Sequence, residues 1–99
     1  MKFVHKPVLF KETINLLNVK PDGVYIDGTA GGGGHSEAIL DKLTSGTLVS
    51  IDQDPDAISV VKKKFCRNKS SIIVQSNFSE IESIVKEHSI DGVDGVLLD

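Results

Sequence analysis

Val24-Tyr25-Ile26-Asp27-Gly28-Thr29-Ala30-Gly31-Gly32-Gly33-Gly34-His35-Ser36 is the stretch that decides how this chain folds. A short β-branched and aromatic run stops at an aspartate, and five of the next seven residues are glycine. Ala38, Ile39 and Leu43 follow in a helix-like pattern. Strand, glycine loop and helix together bring bare backbone against a polar ligand, because glycine has no Cβ to hold the ligand away. The helix start then offers unpaired N–H groups and the positive end of its dipole. The stretch reads as a nucleotide-type site.

Three loop chemistries compete for it, and spacing separates them. A phosphate-cradling loop of the form G-x-x-x-x-G-K-[ST] fails, because the pair after Gly33 is Gly34-His35 and the lysine is missing. The dinucleotide fingerprint G-x-G-x-x-G/A puts Ser36 at its sixth position when started from Gly31, and Glu37 when started from Gly32. Neither fits. An S-adenosylmethionine loop needs an acidic residue at a strand end and loosely spaced glycines, and Asp27 with Gly28, Gly31 and Gly33 matches it best. It holds no pyrophosphate, so it needs no lysine.

Upstream of the loop, Pro7 to Phe10 reads as extended, and Phe10, Ile14 and Leu17 recur at helical spacing, with Asn18 as the helix end. Lys20-Pro21-Asp22-Gly23 is turn chemistry, with proline presetting φ and glycine expected in the left-handed position. The first strand is then Val24 to Asp27, and the helix after the loop runs from about His35 to Leu43. Downstream, Leu48 to Asp52 is a second strand. Asp54-Pro55 opens a helix with an N-cap and a first-turn proline, and Ile58, Val61 and Phe65 form its apolar stripe. Ile72 to Gln75 is a third strand. Ser79-Glu80-Ile81-Glu82 reads as a capping box ahead of a helix carrying Ile81, Ile84, Val85 and His88 on one face. Gly92 to Asp99 ends in a fourth strand.

Strands that are short apolar runs alternating with helices predict a parallel sheet covered on both faces, and right-handed crossovers make it doubly wound. Ligands of such sheets sit beyond the carboxyl ends of the strands. Asp27, Asp52, the residues after Gln75, and Asp99 all fall on that rim. Asp52 lies 24 residues past Gly28, near the roughly 20-residue offset of an acid on ribose hydroxyls. A carboxylate there accepts two hydrogen bonds from a cis-diol. Phe78, in Asn77-Phe78-Ser79, is placed either to cover an adenine or to staple the following helix. Gly33, Gly34 and His35 would line the methionine end of the ligand, with a simple capping role for His35 as the alternative.

The bulk numbers bound the rest. Ninety-nine residues with 39% hydrophobic content make one small domain. The sequence has no run of roughly 18 apolar residues to span a membrane, and Met1 to Pro7 lacks the apolar core of a signal peptide. Cys66 is the single cysteine, which excludes a disulfide framework and a cysteine-cluster metal site and suits a reducing cytoplasm. A net charge of −3 argues against a free-standing nucleic-acid binder. The cluster Lys62, Lys63, Lys64, Arg67 and Lys69 reads first as a solvated helix C-terminus and second as an RNA-backbone contact. No nucleophile–base set or metal-spaced cluster is visible, so no catalytic residue is assigned.

In these residues the chain resembles the bacterial 16S ribosomal RNA cytosine-N4 methyltransferases of the RsmH/MraW type. The likeness runs through His5-Lys6-Pro7-Val8-Leu9, Lys20-Pro21-Asp22-Gly23, Asp27-Gly28-Thr29 and Gly33-Gly34-His35-Ser36. It continues in Ile51-Asp52-Gln53-Asp54-Pro55, Asn77-Phe78-Ser79-Glu80 and Asp94 to Asp99. The resemblance implies a Rossmann-like class I S-adenosylmethionine methyltransferase sheet, cut to about four parallel strands with helices on both faces. It implies methyl transfer from S-adenosyl-L-methionine to the N4 amine of a cytidine in 16S rRNA of the small ribosomal subunit. Cofactor contacts would map to Gly33, Gly34, His35, Asp52, Phe78 and Asp99. The loop departs from the family pattern at Ala30 and Gly32, where phenylalanine and arginine are usual.

Members of that family run to roughly three times this length. Residues 1–99 are therefore expected to be the N-terminal portion of the cofactor domain, inactive alone, with the substrate pocket and any base supplied elsewhere. A strand as apolar as Val96-Leu97-Leu98 belongs inside a sheet, yet nothing in the sequence is marked to pair with its far edge. Such an edge invites self-association. The competing functions are a methyltransferase for another substrate and a non-catalytic remnant that dimerises through that edge.

Overall fold

Strand and helix patterns alternate along the chain, and from Val24 onward the computed structural model forms an element at each. It describes residues 2–5, 17–28, 34–88, 90 and 92–98. The elements are β1 (Lys2–His5), β2 (Val24–Asp27), α1 (Gly34–Lys42), β3 (Thr47–Asp52), α2 (Pro55–Phe65), β4 (Ser71–Gln75), α3 (Ile81–Glu87) and β5 (Gly95–Leu98). All strand pairs are parallel, in the order β1-β5-β2-β3-β4. The extended stretch expected at Pro7 to Phe10, and Phe10 and Ile14 of the first helix, lie outside the described residues. Leu17 is helical and buried, and Asn18 follows with φ 52, the left-handed residue that ends a helix.

Crossover handedness fixes which face each helix covers. From β2 through α1 to β3, and on through α2 to β4, the chain steps outward in one direction. Ile39 and Leu40 of α1 and Ile58, Val61 and Phe65 of α2 accordingly share one core with Tyr25, Leu48 and Leu97. From β4 through α3 the chain returns across β2 to form β5, so α3 lies on the other face. Its Ile84 packs there with Ile26, Val49, Ile51 and Val96. Strand residues alternate strictly between the two cores, as the pleat requires. The reversal falls between β2 and β5, and the glycine loop leaves β2 at that point.

Three expectations need correcting. The sheet has five strands, not four, and β5 is paired on both sides: Lys2↔Gly95 to His5↔Leu98 on one flank, and Tyr25↔Gly95 to Asp27↔Leu97 on the other. The open apolar edge therefore does not exist, and self-association through it loses its basis. Lys2–His5 offers only two apolar residues, Phe3 and Val4, too short a run to read as a strand.

The turn before β2 forms as expected, with Gly23 N–H donating to Lys20 O at 3.0 Å. Gly23 is nevertheless the fourth turn residue, and it is glycine for space. A Cβ there would stand 2.6 Å from Cε2 of the Tyr25 ring. That ring is buried, and its hydroxyl accepts from Lys20 N–H at 2.8 Å. Finally, Ser79 does not cap α3. Asn77 Oδ1 accepts from Ser79 N–H at 2.9 Å and opens a 3-10 turn over Phe78–Glu80, after which α3 starts with no side-chain cap. The capping box loses because asparagine two residues earlier closes its own turn.

Elsewhere the local chemistry works as read. Asp54 is the N-cap of α2, its carboxylate accepting from Asp56 N–H at 2.9 Å, with Pro55 in the first turn. Lys62, Lys63 and Lys64 are exposed in the last turn of α2, where cations complement the dipole. Lys64 pairs with Glu37 of α1 at 2.8 Å. Cys66 and His88 are exposed at helix ends.

Candidate functional site

Parallel strands bring their carboxyl ends to one rim, and the register shows what stands on it. Asp27 ends β2 opposite Ser50 and Leu97, while β3 continues two residues further to Asp52, opposite Gln75 of β4. At about 3.3 Å per residue, Asp52 therefore projects roughly 7 Å beyond the row that holds Asp27. The ladder runs on past the strand ends: Gly28 N–H donates to Leu97 O at 2.9 Å, and Ser76 N–H to Asp52 O at 3.0 Å.

Each helix start belongs to the same rim. Gly34 and His35 open α1; Gly34 is exposed and His35 half-buried. The N–H groups of this first turn have no partners inside the helix, which makes it a site for an anionic or polar group. Asp52 is half-buried, and its Oδ1 accepts from Asp54 N–H at 2.9 Å. That bond helps to orient the carboxylate. The Asn77–Ser79 turn, with Phe78 at the start of the 3-10 segment, leaves the end of β4 beside it. Gly34, His35, Asp52 and the backbone of Phe78 are thus gathered at the carboxyl ends of β2, β3 and β4. Gly33 and Asp99 lie outside the described residues, as do Ala30 and Gly32.

Two serines at this end of the sheet were not singled out by sequence reasoning. Asp27, Ser36 and Ser50 are each 0% exposed. The Ser36 hydroxyl donates to Asp27 Oδ2 at 2.6 Å and lies 2.9 Å from Ser50 Oγ. The available signal was Ser50 itself, a lone hydroxyl inside Leu48-Val49-Ser50-Ile51. Asp94 was missed too: its Oδ2 accepts from Val24 N–H at 2.8 Å and anchors the start of β2 at the opposite end. Among the described residues no cluster of three or more His, Cys, Asp or Glu could hold a metal, and no helix is long and apolar enough to cross a membrane.

Two cavities among the described residues lie away from this rim. One of about 390 Å³ sits between α1 and the end of α2, lined by charged residues including Glu37, Lys64 and Arg67. Another, of about 480 Å³, is apolar and lies beside α3 over Ile26 and Val96. Neither includes Gly34, His35 or Asp52, so the site is read from strand-end geometry.

Known proteins share both the sequence and the fold. The ribosomal RNA small subunit methyltransferase H of Acetivibrio thermocellus is 50% identical over 103 aligned residues, which cover 100% of this chain and 33% of that protein. The chain thus spans about a third of the length of the curated relatives it matches. Among solved structures, the Methanococcus jannaschii fibrillarin pre-rRNA processing protein superposes with a TM-score of 0.70 at 15% identity, over 81% of this chain and 34% of that one. Coclaurine N-methyltransferase bound to N-methylheliamine and SAH superposes with a TM-score of 0.62 at 7% identity, over 69% and 21%. These two likenesses establish a shared Rossmann-like α/β fold. The model of the MraW methylase family matches residues 2–99, and with half of all positions identical to a curated relative, the chain belongs to that family.

Proposed function

We propose that residues 1–99 are the N-terminal portion of an S-adenosyl-L-methionine-binding domain. In the whole protein this domain would methylate the N4 amine of a cytidine in 16S rRNA of the small ribosomal subunit, in the cytoplasm. The observation that carries the reading is that Asp52 and the α1 start share one rim beside the strand-order reversal, in a chain matched to the family over residues 2–99. Asp52 would accept from the ribose hydroxyls, and Gly33, Gly34 and His35 would meet the methionine end. Phe78 would cover the adenine, with Asp99 contributing from the end of β5. The cofactor supplies an electrophilic methyl on a sulfonium; the chain's residues bind and orient it. No residue here is assigned to take the N4 proton, and the isolated chain is expected to be inactive.

Weak binding is the expected behaviour of a partial pocket, so the test must read weak binding. In a heteronuclear NMR titration with S-adenosylmethionine, amides of Gly34, His35, Asp52 to Asp54 and Asn77 to Ser79 should shift and approach saturation near the millimolar range, about −4 kcal/mol. NAD should leave them unmoved. Rim amides that ignore S-adenosylmethionine would overturn the assignment. Methyl transfer to small ribosomal subunits by the 99-residue chain would overturn the expectation of inactivity.

A further inference from the structure

We infer that Ser50, Ser36 and Asp27 form a directed hydrogen-bond relay that positions the first turn of α1, making both serines positioning residues for the proposed cofactor site. The inference rests on that reading for its purpose, but not for its geometry. Alternation places Asp27 and Ser50 side by side: they are register partners on neighbouring strands, on the face that α1 covers. On a face otherwise filled by Tyr25, Leu48 and Leu97, these two positions are polar and 0% exposed, and Ser36 descends on them from α1. A buried carboxylate in such surroundings is costly unless hydrogen-bonded.

Proton counting gives the direction. Ser36 has one hydroxyl proton, and it is donated to Asp27 Oδ2 at 2.6 Å. The 2.9 Å contact between Ser36 and Ser50 must then use the proton of Ser50. The relay runs from Ser50 to Ser36 to Asp27 and fixes the Ser36 rotamer. Gly34 and His35 are the two residues immediately before Ser36, so fixing one fixes the presentation of the others. The need for such an anchor is written in the sequence: between Asp27 and His35 five glycines, an alanine and a threonine offer little side chain to hold the segment. Its entrance is pinned by Gly28 N–H on Leu97 O, and the relay pins its exit.

Amide and hydroxyl exchange by NMR tests this. In the unmodified chain the Ser36 and Ser50 hydroxyl protons should be observable and slow to exchange with water; a Ser50 hydroxyl that exchanges like an exposed serine would overturn the relay without any variant. In S50A, amides of Ala38 and Ile39, which bond the carbonyls of Gly34 and His35, should exchange about five- to tenfold faster, while Val61 in α2 changes less than about twofold. S50T should restore both rates. A uniform acceleration in α1 and α2 would reduce Ser50 to a general stability role and overturn the positioning claim, as would no change. Should S50A fail to fold, the hydroxyl measurement and S50T decide. Added S-adenosylmethionine separates the two proposals: if the unmodified chain ignores it, the cofactor reading fails while the relay is still decided by the exchange rates. If it binds, S50A should bind roughly fivefold more weakly, and unchanged affinity would overturn the positioning role.

Discussion

Asp52→Asn separates the observed contact of this carboxylate from its proposed one. Asparagine keeps the Oδ1 acceptor for Asp54 N–H, so the start of α2 should survive with a stability change under about 0.5 kcal/mol. The charge-assisted pair of acceptors proposed for a ribose diol is lost, and affinity for S-adenosylmethionine should fall roughly tenfold in the same NMR titration. Gly46→Ala should do the reverse, harming stability without touching the rim. A Cβ on Gly46 would collide with the carbonyl oxygen of Gly23, and neither backbone can retreat while Thr47 N–H donates to Gly23 O at 3.0 Å. The expected cost is about 1–3 kcal/mol in urea unfolding. The place of Asp52 at the end of β3 was legible from the strand pattern. The roles of Ser36 and Ser50 were not, because they depend on a register that places residues 14 positions apart in contact. Gly23 was legible as a turn residue but not in its reason, which is the Tyr25 ring.

Helix starts show where local sequence suffices and where it misleads. Asp54→Ala should cost about 1 kcal/mol, because the cap that sequence identified is the cap that forms. At α3 the expected ranking reverses. Ser79→Ala should leave stability within about 0.5 kcal/mol, since no side-chain bond caps that helix, whereas Asn77→Ala should cost about 1 kcal/mol by opening the turn that leads into it. Chemical denaturation of the two variants side by side checks this. Both patterns were visible in Asn77-Phe78-Ser79-Glu80; what decides between them is that Asn77 reaches Ser79 N–H first in the chain, before helical dihedrals begin. Strands β2 to β5 and helices α1 and α2 were legible within a residue or so, because each has a clean apolar period and chemical punctuation at its ends. The ion pair of Lys64 with Glu37 joins α1 to α2 in solvent and contributes under about 1 kcal/mol, less in salt.

The sheet assembles from both ends of the chain, and this is where sequence reading fell short by a strand. β1 is defined by its partner and not by its own composition: Lys2 to His5 becomes a strand only because Gly95 to Leu98 is there to pair with it. Removing residues 1–5 should uncover one flank of β5 and cause concentration-dependent association in sedimentation velocity, because an apolar strand then offers unpaired N–H and C=O groups. The intact chain should sediment as a monomer at the same concentrations, and equal behaviour of the two would contradict the role given to β1.

The pairing of Lys2 with Gly95 also sets a timetable. The first of these strands to leave the ribosome is the last to find its neighbour, since its docking site does not exist until Gly95 to Leu98 have emerged. At about 5–20 residues per second, Lys2 to His5 waits several seconds while β2, β3 and β4 can already begin to zip in sequence order. Closing so long a loop makes this the slowest ladder to form and the first to fray, so folding should show a late phase tied to the N-terminus.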